Sequence, residues 1–342
     1  MKRAVLTFVG ERQVEVQQEE VAPPGPGELA VRTLVSAIST GTELLAYRGQ
    51  LPSDLAVDET LPALAGNAFR FPFRYGYASV GEVTGLGSGV DPAWMGRRVF
   101  AFVPHASAFV AAEKECFALP EGLDPERAAL LASQETAVNV VLDAAPGLGE
   151  RVVLLGQGVV GLLVTAVLAR FPLARLVAVE PDERRRALAT AFGATAVATA
   201  DEARALLGPG GADLALELSG NPAAVSPALA LTGREGRVVL GSFYGSKTAP
   251  VDLGPHFHRG RLTVFSSQVS HIHPRLSGRW DRRRRFELAI DLLARENTHA
   301  DLGRLFTHRL SLEEAPAAYR LLDSGGGAAL QVLFTAPERG RA

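Results

Sequence analysis

The 342-residue sequence has a single cysteine, Cys116, so it can form no internal disulfide and no cysteine-rich zinc or iron–sulfur site. Lysine is almost as scarce, at Lys2, Lys114 and Lys247 only, and arginine carries nearly all the positive charge. Neither sign dominates: 35 Lys and Arg against 37 Asp and Glu leave a net charge of -2. A nucleic-acid partner, which needs a basic face, is therefore not expected. Apolar runs of ~18 residues are also missing, so no membrane span or membrane partner is expected. The first stretch, MKRAVLTFVG, is followed at once by ERQVEVQQEE and lacks the apolar run of a secretory leader. A cytoplasmic protein is the expectation. What remains is ordinary globular usage, 47% hydrophobic and 21% charged, in a chain long enough for two domains.

The first 110 or so residues read as short β-strands, AVLTFV, LAVRTLVSAI, SVGEVTGLG and GRRVFAFVP, separated by Pro- and Gly-rich turns. This pattern points to a small barrel-like domain. Residues 50–75 show weak periodicity and read as a long loop. Its apolar and aromatic residues, Leu61, Leu64, Phe69, Phe71, Phe73 and Tyr75, suit either a ring-containing substrate or packing of the barrel. Asp124 and Pro125 then mark a helix start, with helical character running to Ala145. From residue 151 apolar strands alternate with amphipathic segments, the pattern of a doubly wound parallel sheet covered on both faces. Beyond 260 follow a strand in LTVFSSQVS, a helix in RRRRFELAIDLLARE, and a last helix, a glycine stop at Gly325 to Gly327, and a closing strand.

One motif has its full context. Gly156-Gln157-Gly158-Val159-Val160-Gly161 follows the strand RVVLL and opens a helix. The first glycine permits a tight turn, the second lets backbone approach a pyrophosphate, and the third lets helix and strand pack closely. The helix N-terminus then offers N–H groups to the phosphates. The next strand, LVAVE, ends at Glu180, placed to grip the adenosine ribose hydroxyls. A carboxylate there opposes a 2′-phosphate, so NAD(H) is favoured. Arg184, Arg185 and Arg186 keep NADP(H) open.

These segments, with PPGPGELAVRTLVSAI, GTELLAYRG, GYASVGEVTGLGSGV, GRRV and THRLSLEEAPAAYRLLDSG, resemble the medium-chain dehydrogenase/reductase family, known for zinc alcohol, polyol and threonine dehydrogenases. The resemblance implies an α/β chain with a GroES-like β-barrel substrate domain at 1–122 and a Rossmann NAD-binding domain at 123–268. Residues 269–342 would return to complete the barrel. It also implies a homodimer or homotetramer acting on a small molecule. The family topology adds Ser267, in FSSQVS, to the cofactor contacts, and Ser219 joins them.

Departures from the family carry the chemical information. Where zinc members place a cysteine, this chain has Ile38-Ser39-Thr40, and their Gly-His-Glu becomes Gly76-Tyr77-Ala78. The third ligand falls near Ser133, Gln134 or Glu135, and the proton-relay histidine falls on Leu45. Hydroxyls and a phenol are poor neutral ligands for zinc, so no metal site is expected. Within the family, the chain more closely resembles a zinc-less branch that includes bacteriochlorophyllide dehydrogenases.

Three residues remain as catalytic candidates. Tyr77 either donates to the reacting oxygen or fills the vacated metal pocket. Thr42 stands where relatives carry a relay hydroxyl. Glu135 is either a cleft carboxylate of raised pKa or the partner of an arginine. Glu43 matches an acid that in relatives supports the site through an arginine or histidine. His256-x-His258 and His271-x-His273 would share a face if on strands, though loops suit them equally. The run Arg282–Arg285 reads as a solvated or ion-paired face, and Cys116 as structural. A zinc-independent NAD(H) oxidoreductase acting between a secondary alcohol and a ketone is the leading expectation, with a quinone or enone reductase or a non-catalytic NAD sensor as alternatives.

Overall fold

The computed structural model describes residues 2–57, 61, 63–66, 68–295, 300–325 and 329–337. They divide into two units, Met1–Ala132 with Leu305–Ala342, and Ser133–Arg304. In the first, β1 (Lys2–Gly10) and β2 (Gln13–Glu20) form an antiparallel ribbon. Then come β3 (Glu28–Ala37), α1 (Thr42–Tyr47), β4 (Ser79–Leu86), β5 (Arg98–Ala101), β6 (Ala108–Ala112), β7 (Cys116–Ala118) and α2 (Pro125–Ala129). Asp124 caps α2, accepting from Glu126 N at 2.8 Å, with Pro125 in the first turn. The stretch between α1 and β4 is largely irregular, as expected. Its Leu61, Leu64, Phe69, Phe73 and Tyr75 are buried in the core of this unit, with Phe71 packed against them. Phe73 stacks on Phe8, with ring centroids 5.1 Å apart. Packing, not substrate contact, accounts for these side chains.

The second unit alternates as its sequence does. It comprises α3 (Leu131–Ala144, beginning just before the boundary), β8 (Arg151–Leu155), α4 (Val159–Leu168), β9 (Arg175–Val179), α5 (Glu183–Ala191) and β10 (Thr195–Val197). After these come α6 (Ala200–Leu207), β11 (Ala212–Glu217), α7 (Val225–Leu231), β12 (Thr232–Leu240), α8 (Pro255–Gly260), β13 (Thr263–Ser266) and α9 (Arg282–Ala294). All six strands are parallel, in the order β10-β9-β8-β11-β12-β13. This is the doubly wound order in which the sheet reverses direction beside β8, the strand that carries the glycine motif. Val152, Val153 and Leu154 of β8 are buried on both faces, which explains their unbroken apolar run. At the end of α3 two arginines take the free carbonyls. Arg237 donates to Ala144 O and Ala145 O at 3.0 Å, and Arg275 donates to Leu142 O and Asp143 O.

The chain re-enters the first unit at 305, later than the expected 269, because α9 buries Phe286, Ala289 and Leu293 and sends Arg285 to α3. Helix α2 likewise belongs to the first unit. Two strands and a helix complete that unit: β14 (Phe306–Leu310), α10 (Ala315–Asp323) and β15 (Gln331–Thr335). Its main sheet runs β14-β15-β3-β4-β5-β7, with β6 also pairing β3. Gly326 and Gly327 of the expected stop lie outside the described residues. The whole is a mixed, GroES-like sheet unit and a Rossmann-type parallel-sheet unit, as the sequence implied.

Gly156 is where the fold leaves no room for a side chain. Its φ is +95°, and an added Cβ would lie 2.4 Å from Ser219 Cα. Gly156→Ala is expected to cost about 2 kcal/mol or more in urea unfolding. An unchanged midpoint would show that the turn relaxes freely.

Candidate active site

Strand β8 delivers the glycine motif to the carboxyl end of the parallel sheet. Gly161 packs so closely that an added Cβ would lie 2.2 Å from Gly156 O, whereas nothing lies within 4 Å of one on Gly158. Gly158, the N-cap of α4, thus leaves an open face at the start of that helix. Glu180 directly follows β9. Its Oε2 accepts from Gln157 N at 2.7 Å and its Oε1 from Asp182 N at 3.0 Å. Gln157 is buried and accepts from Thr165 Oγ1 at 2.9 Å, tying the turn to α4. Val159 and Val160 form the first turn of α4. Of the three arginines, Arg186 donates to the carbonyls of Glu180 and Pro181.

At the end of β11 the fully buried Glu217 gathers donors. Ser219 offers both N, at 2.8 Å, and Oγ to Glu217 Oε1, and the Tyr244 hydroxyl donates to Oε2. Burial, then the Glu217 carboxylate, holds the Tyr244 phenol well above its ordinary value. Sequence reading passed over Glu217, although a carboxylate in the apolar strand DLALELS was the signal that donors must converge there. Nothing in the sequence marked Tyr244.

Ser267 and Glu135 belong to one polar network. Glu135, Asn139 and Asp143 recur every fourth residue along α3 and so share a face. Arg285 on α9 donates to Glu135 Oε1 from Nη2 at 2.6 Å and Nε at 2.9 Å, to Asn139 Oδ1 at 2.6 Å, and to Val269 O. Asn139 Nδ2 donates to Asp143 Oδ2 and to Ser267 Oγ, and Ser267 Oγ donates to Asp143 Oδ2 at 2.6 Å. The arginine run is therefore not one solvated face, because Arg285 is 1% exposed. Desolvation raises the Glu135 carboxyl, with Arg285 opposing, and raises Asp143, with Ser267 opposing.

In the mixed-sheet unit, the turn from β3 into α1 carries Ser39, Thr40 and Gly41, and Thr42 opens the helix. Tyr77 OH donates to Ser39 Oγ. Glu43, fully buried, accepts from Ser39 N at 2.7 Å through Oε1. The Tyr319 hydroxyl donates to its Oε2, and His105 Nε2 lies 3.0 Å from the same oxygen. His105 Nδ1 in turn lies 2.8 Å from Ser36 Oγ. Gly76, at φ +108°, admits this histidine, since an added Cβ would lie 2.5 Å from its ring. His105 and Tyr319 were not foreseen; they come from loops and a helix far along the chain. Leu45 is buried core.

The histidine pairs do not share faces. His256 and His258 lie on α8, not on a strand, where alternate residues point apart, and His256 Nε2 sits on Leu229 O and Thr232 O. His273 caps a single helical turn, accepting from Arg275 N at 3.2 Å. Among the described residues no group of three His, Cys, Asp or Glu is placed to hold a metal ion. The donors at the zinc positions do not suit the ion either: Ser39 and Tyr77 are neutral hydroxyls bonded to each other. Burial, followed by Glu115 and Glu113, pushes the Cys116 thiol up to about 12, which leaves it inert. No helix among the described residues is long and apolar enough to cross a membrane.

The mixed sheet with this turn before α1 and the six-stranded parallel sheet with this glycine motif together have the fold of solved dehydrogenase structures. Residues 159–295 match the family described as zinc-binding dehydrogenase. That segment contains none of Ser39, Tyr77 or Glu135, so the match does not bear on metal binding. The chain is 25% identical over 297 residues to 2-dehydro-3-deoxy-L-galactonate 5-dehydrogenase of Pseudoalteromonas atlantica, covering 77% of this chain and 82% of that protein. An Escherichia coli protein described as a short chain alcohol dehydrogenase, solved with NADH, superposes with a TM-score of 0.79 at 19% identity, covering 98% of this chain and 99% of that one. A putative zinc-binding dehydrogenase of Sinorhizobium meliloti bound to NADP gives 0.76 at 22% identity, covering 98% and 100%.

The buried network has a pH signature. A carboxyl raised in the folded state contributes its stability in acid and loses it as pH rises through the raised value. Asp143→Asn should therefore gain on the parent in melting temperature as pH is taken from 4 to 8. A difference that stays constant over that range would separate Asp143 from the effect.

Proposed function

We propose that the protein is a zinc-independent, NAD(H)-dependent oxidoreductase interconverting a secondary alcohol and a ketone. The observation that carries this reading is the hydroxyl pair Tyr77–Ser39, which stands where the resemblance would put metal ligands. The glycine turn, with its open face at Gly158 and Glu180 beside it, fits a dinucleotide: backbone from Gly156 to Gly161 would hold the pyrophosphate and Glu180 the ribose. When bound, that cofactor supplies or accepts the hydride.

The chain's own residues then have to manage the oxygen and the proton. Tyr77 is the hydrogen-bond donor to a ketone oxygen: its single O–H turns from Ser39 Oγ to that oxygen, and the Ser39 hydroxyl donates to the phenol in its place. Ser39 orients that phenol and is itself fixed through its backbone N–H by Glu43. Thr42 is the relay hydroxyl in this reading. We read Glu135 as a positioning carboxylate rather than a base, because Arg285 lays two donors on one of its oxygens and holds Val269 with a third contact. Ser219 and Ser267 line the cofactor side. The hydroxyl pair also supports placing the chain in the zinc-less branch that resembles bacteriochlorophyllide dehydrogenases.

Two measurements test the proposal. The purified protein should carry well under one zinc per chain by elemental analysis and oxidise a screened secondary alcohol after exhaustive chelation; stoichiometric zinc, or activity lost with it, would reverse the assignment. Tyr77→Phe should lower kcat by about 100-fold while leaving NADH affinity nearly unchanged. Unaltered turnover removes Tyr77 from the chemistry.

A further inference from the structure

The segment that follows β12, residues 241–254, is irregular and exposes three large apolar side chains, Phe243, Val251 and Leu253. Its first half is nevertheless tied down. Gly241 N donates to Glu217 O at 3.0 Å, and an added Cβ there would meet Leu218 at 2.6 Å. Ser242 Oγ accepts from Gly220 N at 2.9 Å. The Tyr244 hydroxyl reaches Glu217, and Lys247 Nζ donates to Gly220 O. Every one of these ties runs to the end of β11, the same stretch whose Ser219 abuts Gly156.

Phe243 lies between two of the anchored residues and remains 49% exposed. The neighbouring Tyr244 packs inward against the apolar core of the parallel-sheet unit. An aromatic ring left in water on a backbone held from both sides gains nothing for folding. The backbone that carries it is already held through Ser242 and Tyr244, so little main-chain entropy is lost when a ligand arrives. Its place is at the carboxyl ends of the parallel strands, where open α/β sheets bind their ligands.

We propose that Phe243 is a specificity-determining residue whose ring packs against the ring of a cyclic apolar substrate, selecting ring-bearing alcohols and ketones over short acyclic ones. This rests on the oxidoreductase reading above and names its substrate class.

Binding and turnover separate the two claims. The NADH-loaded protein is titrated with acetophenone and with butanone by saturation-transfer NMR, and kcat/KM is measured for 1-phenylethanol and 2-butanol. Acetophenone should bind the parent more tightly than butanone. Phe243→Ala should weaken acetophenone about tenfold, leave butanone and NADH within about twofold, and lower the ring-to-acyclic kcat/KM ratio accordingly. Phe243→Trp should retain the preference. The proposal is overturned if the parent binds neither ketone, if both ketones weaken equally, or if NADH affinity falls in step and so assigns the ring to the cofactor. If acetophenone binds through Phe243 but no alcohol is oxidised, the substrate contact stands and the oxidoreductase reading fails.

Discussion

A carboxylate taken out of water must be met by donors, and this constraint shapes each functional segment of the chain. Glu43 holds Ser39, Glu180 holds Gln157, Glu217 holds Ser219 and Tyr244, and Glu135 is held with Val269 by Arg285. All four acids are buried. Each sits at or just beyond the end of a strand, or on a helix, and pins backbone that would otherwise be a loose connection. The site segments are thereby ordered before any ligand is present, which is the condition for positioning chemistry on loops.

The same constraint fixes the geometry on which the proposed metal-free reading of the mixed-sheet unit depends. An ion would supply both positive charge and fixed geometry at the reacting oxygen. Here geometry comes from Glu43, whose two oxygens are occupied by Ser39 on one side and by Tyr319 and His105 on the other. The hydroxyls of Ser39 and Tyr77 remain half-buried and paired. In the proposed reaction this pair offers polarity rather than charge to the substrate oxygen, and the hydride belongs to the cofactor.

The parallel-sheet unit was nearly all legible from sequence, because its strands are apolar on both faces and its turns have glycines at fixed offsets. That Gly156, Gly161 and Glu180 gather at the turns after β8 and β9 followed from the motif in its strand-and-helix context, since local geometry dictates it. The fold of the mixed-sheet unit was legible mainly through resemblance; its strands are short and its long loop has no period. Phe69 and Phe73 looked equally suited to a substrate or a core, as burial cannot be read from an aperiodic stretch. Arg285 was hidden in a run of four arginines, of which Arg283 and Arg284 are exposed. His105 and Tyr319 were invisible for another reason: Glu43 meets them only through tertiary contacts spanning 62 and 276 positions of chain.

That last separation bears on how the molecule is made. Strand β15, which lies between β14 and β3, and Tyr319, which completes the environment of Glu43, both come from the final segment of the polypeptide. During synthesis the parallel-sheet unit, ending at Arg304, is made while the Val35–Ala37 end of the earlier-made β3, already paired with β4 and β6, still lacks β15. The nascent chain therefore finishes its parallel-sheet half first. The half bearing Tyr77 lacks β15 along part of β3, and its Glu43 lacks the Tyr319 donor, until the stretch after Arg304 has been made.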